Sequence, residues 1–267
     1  MLDMPAQPHR SDPRILGRRT LARDHRALAA VLQPGFSVLD VGCGTGSISA
    51  GIAWAVGPRG SVIGVDHDSV LLDLARAGHA RIPNLRFERG DATTLDFQHQ
   101  FDIVTASRTL QWISDPAMAI ANLKRAAKPG GKLVILDYNH VDNQWTPDPP
   151  AEFQHFYRAF LAWRRANRWD NEMADHLPEL FHSAGLVEVQ SLLQDEIVER
   201  GDADFQERSA IWSDVIENVG AQLVVAGLCR QAELEEARDH YRAWAKTDLT
   251  KQTLALRAVI GTVPTES

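Results

Sequence analysis

The stretch VLDVGCGTGSIS, residues 38–49, constrains this chain more than any other. A strand-like apolar run, FSVLDV, leads into glycines at every second position, Gly42, Gly44 and Gly46. A helical pattern follows, with Ile48, Ile52 and Val56 near helical spacing, and Gly57-Pro58 stops it. A strand, a glycine-rich turn and a helix together present backbone N–H groups and a helix N-terminus to a ligand. A side chain on Gly42 or Gly44 would obstruct that approach.

The same rhythm continues. SVIGV (61–65), NLRFERG (84–90), FDIVTAS (101–107) and KLVILDY (132–138) read as strands. Asp68 or Ser69 caps a helix whose apolar side carries Leu71, Leu72, Leu74 and Ala75. A helix from about Pro116 to Lys128 ends at the breaker Lys128-Pro129-Gly130-Gly131. Short strands separated by helices predict an α/β, doubly wound, mostly parallel sheet covered on both faces. Ligands of such sheets bind beyond the carboxyl ends of the strands, at the switch in strand order.

Past Asn139 the pattern changes. Residues 139–174 form an insertion rich in Pro, Trp and Phe, and Pro147, Pro149 and Pro150 predict an irregular start. A helix ending at Gly185 follows, then one strand over 186–198. Two amphipathic helices carry Phe205, Trp212, Val215, Ile216 and Val219, then Leu234, Ala237, Tyr241, Trp244 and Ala245. These stripes face either a lid or a second subunit, so a homodimer stays open. Residues 253–263 read as a last strand. The division expected is an N-terminal helical segment (1–30), a core (31–138, 175–198 and 250–263) and a helical lid built from insertions (139–174 and 199–249).

The 267 residues, 44% of them hydrophobic, can bury one sizeable core. No apolar run has membrane-spanning length, and MLDMPAQPHRSDPR lacks the hydrophobic region of a secretory signal. Two cysteines, Cys43 and Cys229, form neither a disulfide framework nor a metal-ligand spacing, so a reducing cytoplasm and no metal are expected. The net charge of −7 speaks against nucleic acid as a partner. Arg10, Arg14, Arg18, Arg19, Arg23 and Arg26 face only Asp12 and Asp24, which reads as a solvated face or as one arginine meeting an anionic group of a ligand.

Which ligand the glycines serve follows from their spacing. Dinucleotide folds use G-x-G-x-x-G, but the third position of that pattern here is Ser47. Asp40, two residues before the first glycine, would repel a pyrophosphate and suits a ligand bearing an ammonium and a sulfonium. VLDVGCGTG resembles motif I of the class I S-adenosylmethionine-dependent methyltransferases. Further segments follow in that family's order: GVDHD (64–68), GDATTLDF (90–97), FDIVTASRTLQWISDP (101–116) and LKRAAKPGGKLVILDY (123–138). The resemblance covers residues 30–138 well and 175–198 loosely, and implies a seven-stranded Rossmann-like sheet.

It also implies S-adenosyl-L-methionine as cofactor, with S-adenosyl-L-homocysteine as product, and a methyl group passed to a small-molecule acceptor by in-line displacement. Asp40, Gly42, Cys43, Gly44 and Gly46 would form the cradle, Asp66 would take the ribose hydroxyls and His67 one adenine face. Asp91 and Ala92 would meet the adenine amino group, and Ser107 and Arg108 would lie beneath the methionine part. Arg108 resembles an arginine of quinone-ring C-methyltransferases. His140 is the candidate general base, Tyr138 a second candidate, and Asp137 ties the loop. Trp112, Trp145, Tyr157, Arg164, Trp212 and His140 are the acceptor-binding candidates. Arg164, on the stripe of Phe153, Phe156, Tyr157, Phe160 and Leu161, requires a partner, either an internal acid or a substrate carboxylate. Asp148-Pro149-Pro150 lies after the fifth strand and lacks the aromatic residue of base and amide N-methyltransferases. The competing readings are a protein or RNA methyltransferase, an NAD-dependent oxidoreductase, and a binding protein without turnover.

Overall fold

A computed structural model describes residues 11–265; Arg10 and the rest of residues 1–10 lie outside the described part. Three short helices, α1 (Pro13–Gly17), α2 (Leu21–Asp24) and α3 (Arg26–Val31), precede β1 (Ser37–Val41) and α4 (Ser47–Val56). Then come β2 (Ser61–Asp66), α5 (Ser69–His79), β3 (Leu85–Arg89), β4 (Phe101–Ser107), a 3-10 turn (Leu110–Trp112), α6 (Pro116–Ala126) and β5 (Ala127–Tyr138). The remainder is β6 (Gln144–Thr146), α7 (Ala151–Ala166), α8 (Met173–Ser183), β7 (Val187–Leu193), β8 (Glu196–Glu199), α9 (Phe205–Ser209), α10 (Ile211–Val225), α11 (Gln231–Thr247), β9 (Lys251–Leu254) and β10 (Leu256–Thr262).

Seven strands form one sheet in the order β3-β2-β1-β4-β5-β10-β7. The first five pair in parallel, while β10 runs antiparallel to both β5 and β7. The strand order reverses between β1 and β4, so the crevice of a doubly wound sheet opens at Val41 and Ser107. Both faces are covered, which explains the unbroken apolar runs. Along β5, Val134 and Leu136 face a core shared with α4, α7, α10 and α11, and Leu133 and Ile135 face one shared with α6 and α8. Asp68 caps α5 by accepting from the amides of Val70 and Leu71, and Asp115 caps α6 through the amide of Met118.

Three expectations change. The strand predicted over 186–198 is two: β7 stays in the main sheet, while β8 joins β6 and β9 in a three-stranded antiparallel sheet. Gln194 lies at the break, its side chain accepting from Ala27 N at 2.8 Å, so the chain can turn away there with a buried amide satisfied. The final strand divides at Ala255, whose amide donates to Asn143 Oδ1 at 2.8 Å, β9 serving the small sheet and β10 the large one. The helix stops at Ala126, and Lys128-Pro129-Gly130-Gly131, read as a turn between the helix and the strand at 132–138, instead belongs to the strand. It forms a bulge inside β5, where Ala127 pairs with Phe101 and Lys132 with Ile103.

The stripes of α10 and α11 are buried within the chain, against α7. Phe153 meets Tyr241 at 4.5 Å between ring centroids, and Trp212 packs against Phe153, Tyr157 and Phe160. Among the described residues no helix is long and apolar enough to cross a membrane.

Candidate active site

A cavity of about 400 Å³ lies at the carboxyl ends of β1, β2, β4 and β5. Gly42 and Gly44 line it with φ of 73° and 54°, values that disfavour any side chain. A Cβ on Gly42 would stand 2.2 Å from Thr109 Oγ1, and one on Gly44 would stand 2.7 Å from Leu16 Cδ1. The loop is thus pressed between β4's exit and the N-terminal helix α1.

The end of β2 is wired to that loop. Asp66 Oδ2 accepts from Gly44 N at 2.8 Å, and Oδ1 accepts from Asp68 N at 2.9 Å. Each carboxylate oxygen keeps lone-pair capacity for a ligand hydroxyl. His67 stands beside it, half exposed at the cavity wall. At the end of β3, Asp91 Oδ1 accepts from the amide and hydroxyl of Thr93, which leaves its other oxygen available. Ala92 is buried beneath, its carbonyl taken by Asn122 Nδ2 at 3.0 Å.

Three of the predicted cradle residues lie behind the wall. Asp40 does not line the cavity; its side chain faces α4, where Oδ2 accepts from Ser49 Oγ at 2.5 Å. Burial pushes its pKa up to about 7 against the pull of the Ser49 bond, so it is no strong anion for a ligand. Cys43 points toward Gly64 and β2, and burial drives its thiol pKa well up. Gly46 caps α4 next to Phe87, away from the cavity.

The inner half is built on Arg108, which is buried with φ of 58°. Its guanidinium donates to Ser107 Oγ at 2.8 Å, to Asp24 O at 3.1 Å, to Tyr138 Oη at 3.2 Å and, in a short ion pair, to Glu196. Burial acts against both charges of that pair, but Arg108 holds Glu196 below the usual carboxylate range. Burial, then Glu196, raises the pKa of Tyr138, so the phenol keeps its proton.

His140 stacks on Tyr138 at 5.0 Å between ring centroids. Its Nε2 meets Gln111 Oε1 at 2.6 Å, while Gln111 Nε2 donates to Arg108 O at 3.1 Å. That orientation of the amide assigns the ring proton to Nε2. Burial, reinforced by Arg164, drives the His140 pKa well below its ordinary value, so the ring is neutral. The His140 carbonyl accepts from Tyr157 Oη at 2.6 Å, and its amide donates to Asn171 O at 2.7 Å.

Of the acceptor-binding candidates, Trp112, His140 and Trp212 line the cavity; Trp145, Tyr157 and Arg164 do not. Trp145 sits behind Trp212 and donates to Gln252 Oε1 at 3.0 Å. Tyr157 is occupied in buttressing His140. Arg164 is fully buried and finds neutral internal acceptors, Asn171 Oδ1 at 2.7 Å and the carbonyls of Gln111 at 3.0 Å and Asp170 at 3.1 Å. It lies 4.3 Å from the Trp112 ring centroid and so supports the cavity wall from behind. The stripe on α7 is mostly core, with Phe160 alone of it reaching the cavity.

Sequence reasoning missed Gln111, Phe160, Trp169, Val215 and Ile211 as lining residues, for they carry no motif. Arg19 was visible only as one of a cluster. Its neighbours are engaged: Arg18 pairs with Asp214 and Glu207, Arg14 with Asp12, and Arg23 with Asp24 and Asp204. Arg19 instead lines the cavity, and among the described residues its guanidinium makes no hydrogen bond or ion pair.

Residues 32–185 match the family model described as a methyltransferase domain. The chain belongs to the methyltransferase domain family. This methyltransferase is 34% identical over 179 residues to trans-aconitate 2-methyltransferase of Deinococcus radiodurans, covering 66% of the chain and 67% of that protein. It is 34% identical over 143 residues to 2-phytyl-1,4-naphtoquinone methyltransferase of Synechocystis sp., covering 52% of the chain and 58% of that protein. In fold, the methyltransferase resembles phosphoethanolamine N-methyltransferase 2 of Haemonchus contortus, solved with S-adenosylhomocysteine. That match has a TM-score of 0.58 and 18% identity, over 91% of this chain and 52% of the other. S-adenosylmethionine is the family's methyl donor, and the strand-end residues described above fit it. Asp66 retains acceptor capacity for a diol, and Gly42 and Gly44 line the cavity with positive φ, so their bare backbone faces what binds there.

Proposed function

We propose that this chain transfers a methyl group from S-adenosylmethionine to a small-molecule acceptor held in the inner, aromatic half of the cavity. The observation that carries the reading is continuity. One cavity runs from Gly42, Gly44, Asp66 and Asp91 to Tyr138, His140, Phe160, Trp169 and Trp212. The donor, when bound, supplies a methyl already electrophilic on its sulfonium, so the protein's tasks are placement and exclusion of water.

Asp66 accepts the ribose hydroxyls, and the Asp91-Ala92 segment meets the adenine. Arg19, which among the described residues makes no hydrogen bond or ion pair through its guanidinium, takes the ligand's carboxylate. The aromatic walls fix the acceptor and keep water out. Tyr138 and His140, both neutral, can hold or receive a proton at the acceptor end. Helices α7, α10 and α11 with the small sheet serve as the cover, over a core formed by the large sheet and its helices.

The trans-aconitate and naphtoquinone relatives support a small acceptor. A polymeric acceptor is disfavoured because the N-terminal arginines are spent on Asp204, Glu207 and Asp214. Isothermal titration with S-adenosylhomocysteine and NADH tests the reading. Binding of S-adenosylhomocysteine alone is expected; binding of NADH alone overturns it.

A further inference from the structure

Tyr138 ends β5 and forms part of the cavity wall. Its phenol oxygen accepts from Arg108 Nε at 3.2 Å. Among the described residues that is the only hydrogen bond the phenol makes. A guanidinium has no lone pair to give back, so the Tyr138 proton finds no acceptor in the protein. Burial, then Glu196, raises the pKa of the phenol, so the proton stays on at neutral pH. A hydroxyl hydrogen left without an acceptor in a buried residue is costly, and a ligand in the cavity is the partner at hand.

This donor is fixed by its surroundings. Arg108 cannot swing away, because it also donates to Ser107 Oγ at 2.8 Å and Asp24 O at 3.1 Å and pairs with Glu196. The ring of His140 stacks on Tyr138 at 5.0 Å with the planes inclined at 23°. His140 is itself pinned by Gln111, Tyr157 and Asn171. A cationic donor on the phenol oxygen also polarises its O–H bond and strengthens it as a donor. A fixed donor in an aromatic chamber dictates the polarity of one ligand atom.

The neighbouring groups say which atom that is. An ammonium has no lone pair for the phenol proton. A hydroxyl accepts it but needs an acceptor for its own hydrogen. Arg19 and Arg108 only donate, Gln111 Oε1 is taken by His140, and Glu196 is taken by Arg108. With Arg19 on the donor's carboxylate and Arg108 matched by Glu196, the charge of a second carboxylate would be buried unpaired. A neutral carbonyl oxygen only accepts, so it matches the site in full. The rings of Phe160, Trp169 and Trp212 suit an apolar body behind it.

We infer that Tyr138 is the specificity-determining donor for a neutral, apolar acceptor that carries a carbonyl oxygen, with Arg108 as its positioning residue. This rests on the reading of the cavity as a methyl-transfer site. Holding the oxygen fixes one end of the acceptor, which aligns its nucleophilic atom with the methyl group.

The test uses the full chain saturated with S-adenosylhomocysteine and two probes of one shape, acetophenone and α-methylstyrene, in which a methylene replaces the carbonyl oxygen. Benzoate is the third probe. Tyr138→Phe, which keeps the ring and its packing, should weaken acetophenone about tenfold in calorimetric titration and leave α-methylstyrene unchanged. Benzoate should bind more weakly than acetophenone. On the unaltered protein, the infrared C=O stretch of bound acetophenone, isotope-labelled at the carbonyl carbon, should lie below its value in hexane. It should return toward that value in Tyr138→Phe and in Arg108→Lys. Equal losses for the two isosteres in Tyr138→Phe overturn the inference. So do an unshifted C=O stretch, no binding of acetophenone, or benzoate binding more tightly than acetophenone. Failure to bind S-adenosylhomocysteine, with the dependence of acetophenone on Tyr138 intact, overturns the methyl-transfer reading and leaves the carbonyl site standing.

Discussion

The amide of Gly44 donates to Oδ2 of Asp66 at 2.8 Å, tying the loop after β1 to the end of β2. One carboxylate thus shapes the cradle and offers acceptors to what lies in it. Asp66→Ala should raise the dissociation constant for S-adenosylhomocysteine about a hundredfold, since it removes charge-assisted bonds from both. Calorimetric titration measures this, and an unchanged constant would remove Asp66 from the site.

Gly42 and Gly57 make a matched pair for separating strain from obstruction. Both have positive φ, 73° and 66°, but a Cβ at Gly57 meets nothing within 4 Å. Gly57, with ψ of −174°, lies in backbone space open essentially only to glycine, so Gly57→Ala should cost about 2–3 kcal/mol through strain alone and leave cofactor binding intact. Gly42→Ala should cost about 2 kcal/mol or more, through collision with Thr109, and abolish binding. Urea unfolding and titration of both variants read the two effects separately.

Arg108 is buried and its partner Glu196 mostly so, and removing the carboxylate leaves the guanidinium's charge uncompensated. Glu196→Gln should lower unfolding stability by about 3 kcal/mol. Replacing both, as Arg108→Met with Glu196→Leu, should recover most of that loss in the same urea titrations. A single variant as stable as the parent would show that the guanidinium's other three acceptors suffice.

Arg19 should behave in the opposite way, because it supports a ligand and not the fold. Arg19→Met is expected to leave the melting temperature within about 2 °C and to weaken S-adenosylhomocysteine about tenfold. The decarboxylated analogue locates the anion. If the parent binds it as well as the intact compound, the carboxylate that Arg19 meets belongs to the acceptor.

His25 gives a pH signature. Its ring is buried with Nε2 on Thr105 Oγ1 at 3.1 Å, and burial, then Arg108, lowers its pKa from 6.5 to about 3. Below about pH 6.5 the unfolded chain takes up a proton that the folded one refuses, so stability falls on acidification. The slope approaches about 1.4 kcal/mol per pH unit. Asp40 and Asp137, each raised to about 7 by burial, act with the opposite sign between the ordinary carboxylate pKa and 7. They are common to parent and variant and cancel in the difference. The stability gap between the parent and His25→Phe should therefore narrow by about 2 kcal/mol from pH 6.5 to 5. Parallel pH profiles in urea unfolding would show that His25 stays neutral in both states.

The alternation of strands and helices, the loop after β1, and the acidic residues at the ends of β2 and β3 were legible in the sequence. Each is encoded by near neighbours: apolar periodicity, glycine spacing, and an aspartate one step past a strand. The bulge in β5 was not, because pairing with β4 outweighed the local turn signal.

The fold class and the strand-end positions of Gly42, Gly44, Asp66 and Asp91 were legible in the sequence alone, for their determinants are local, whereas packing turned Asp40, Cys43 and Gly46 behind the wall. The inner half was decided only by tertiary packing. Arg164 and Tyr157 share a helix stripe with Phe160, yet Phe160 reaches the cavity and they brace it from behind. Which arginines of α1 and its flanks are drawn into ion pairs depends on acids on α9 and α10, nearly 200 residues away in sequence, 196 between Arg18 and Asp214. The neutral state and tautomer of His140 follow from Gln111, Arg164 and burial, and no linear pattern joins those residues.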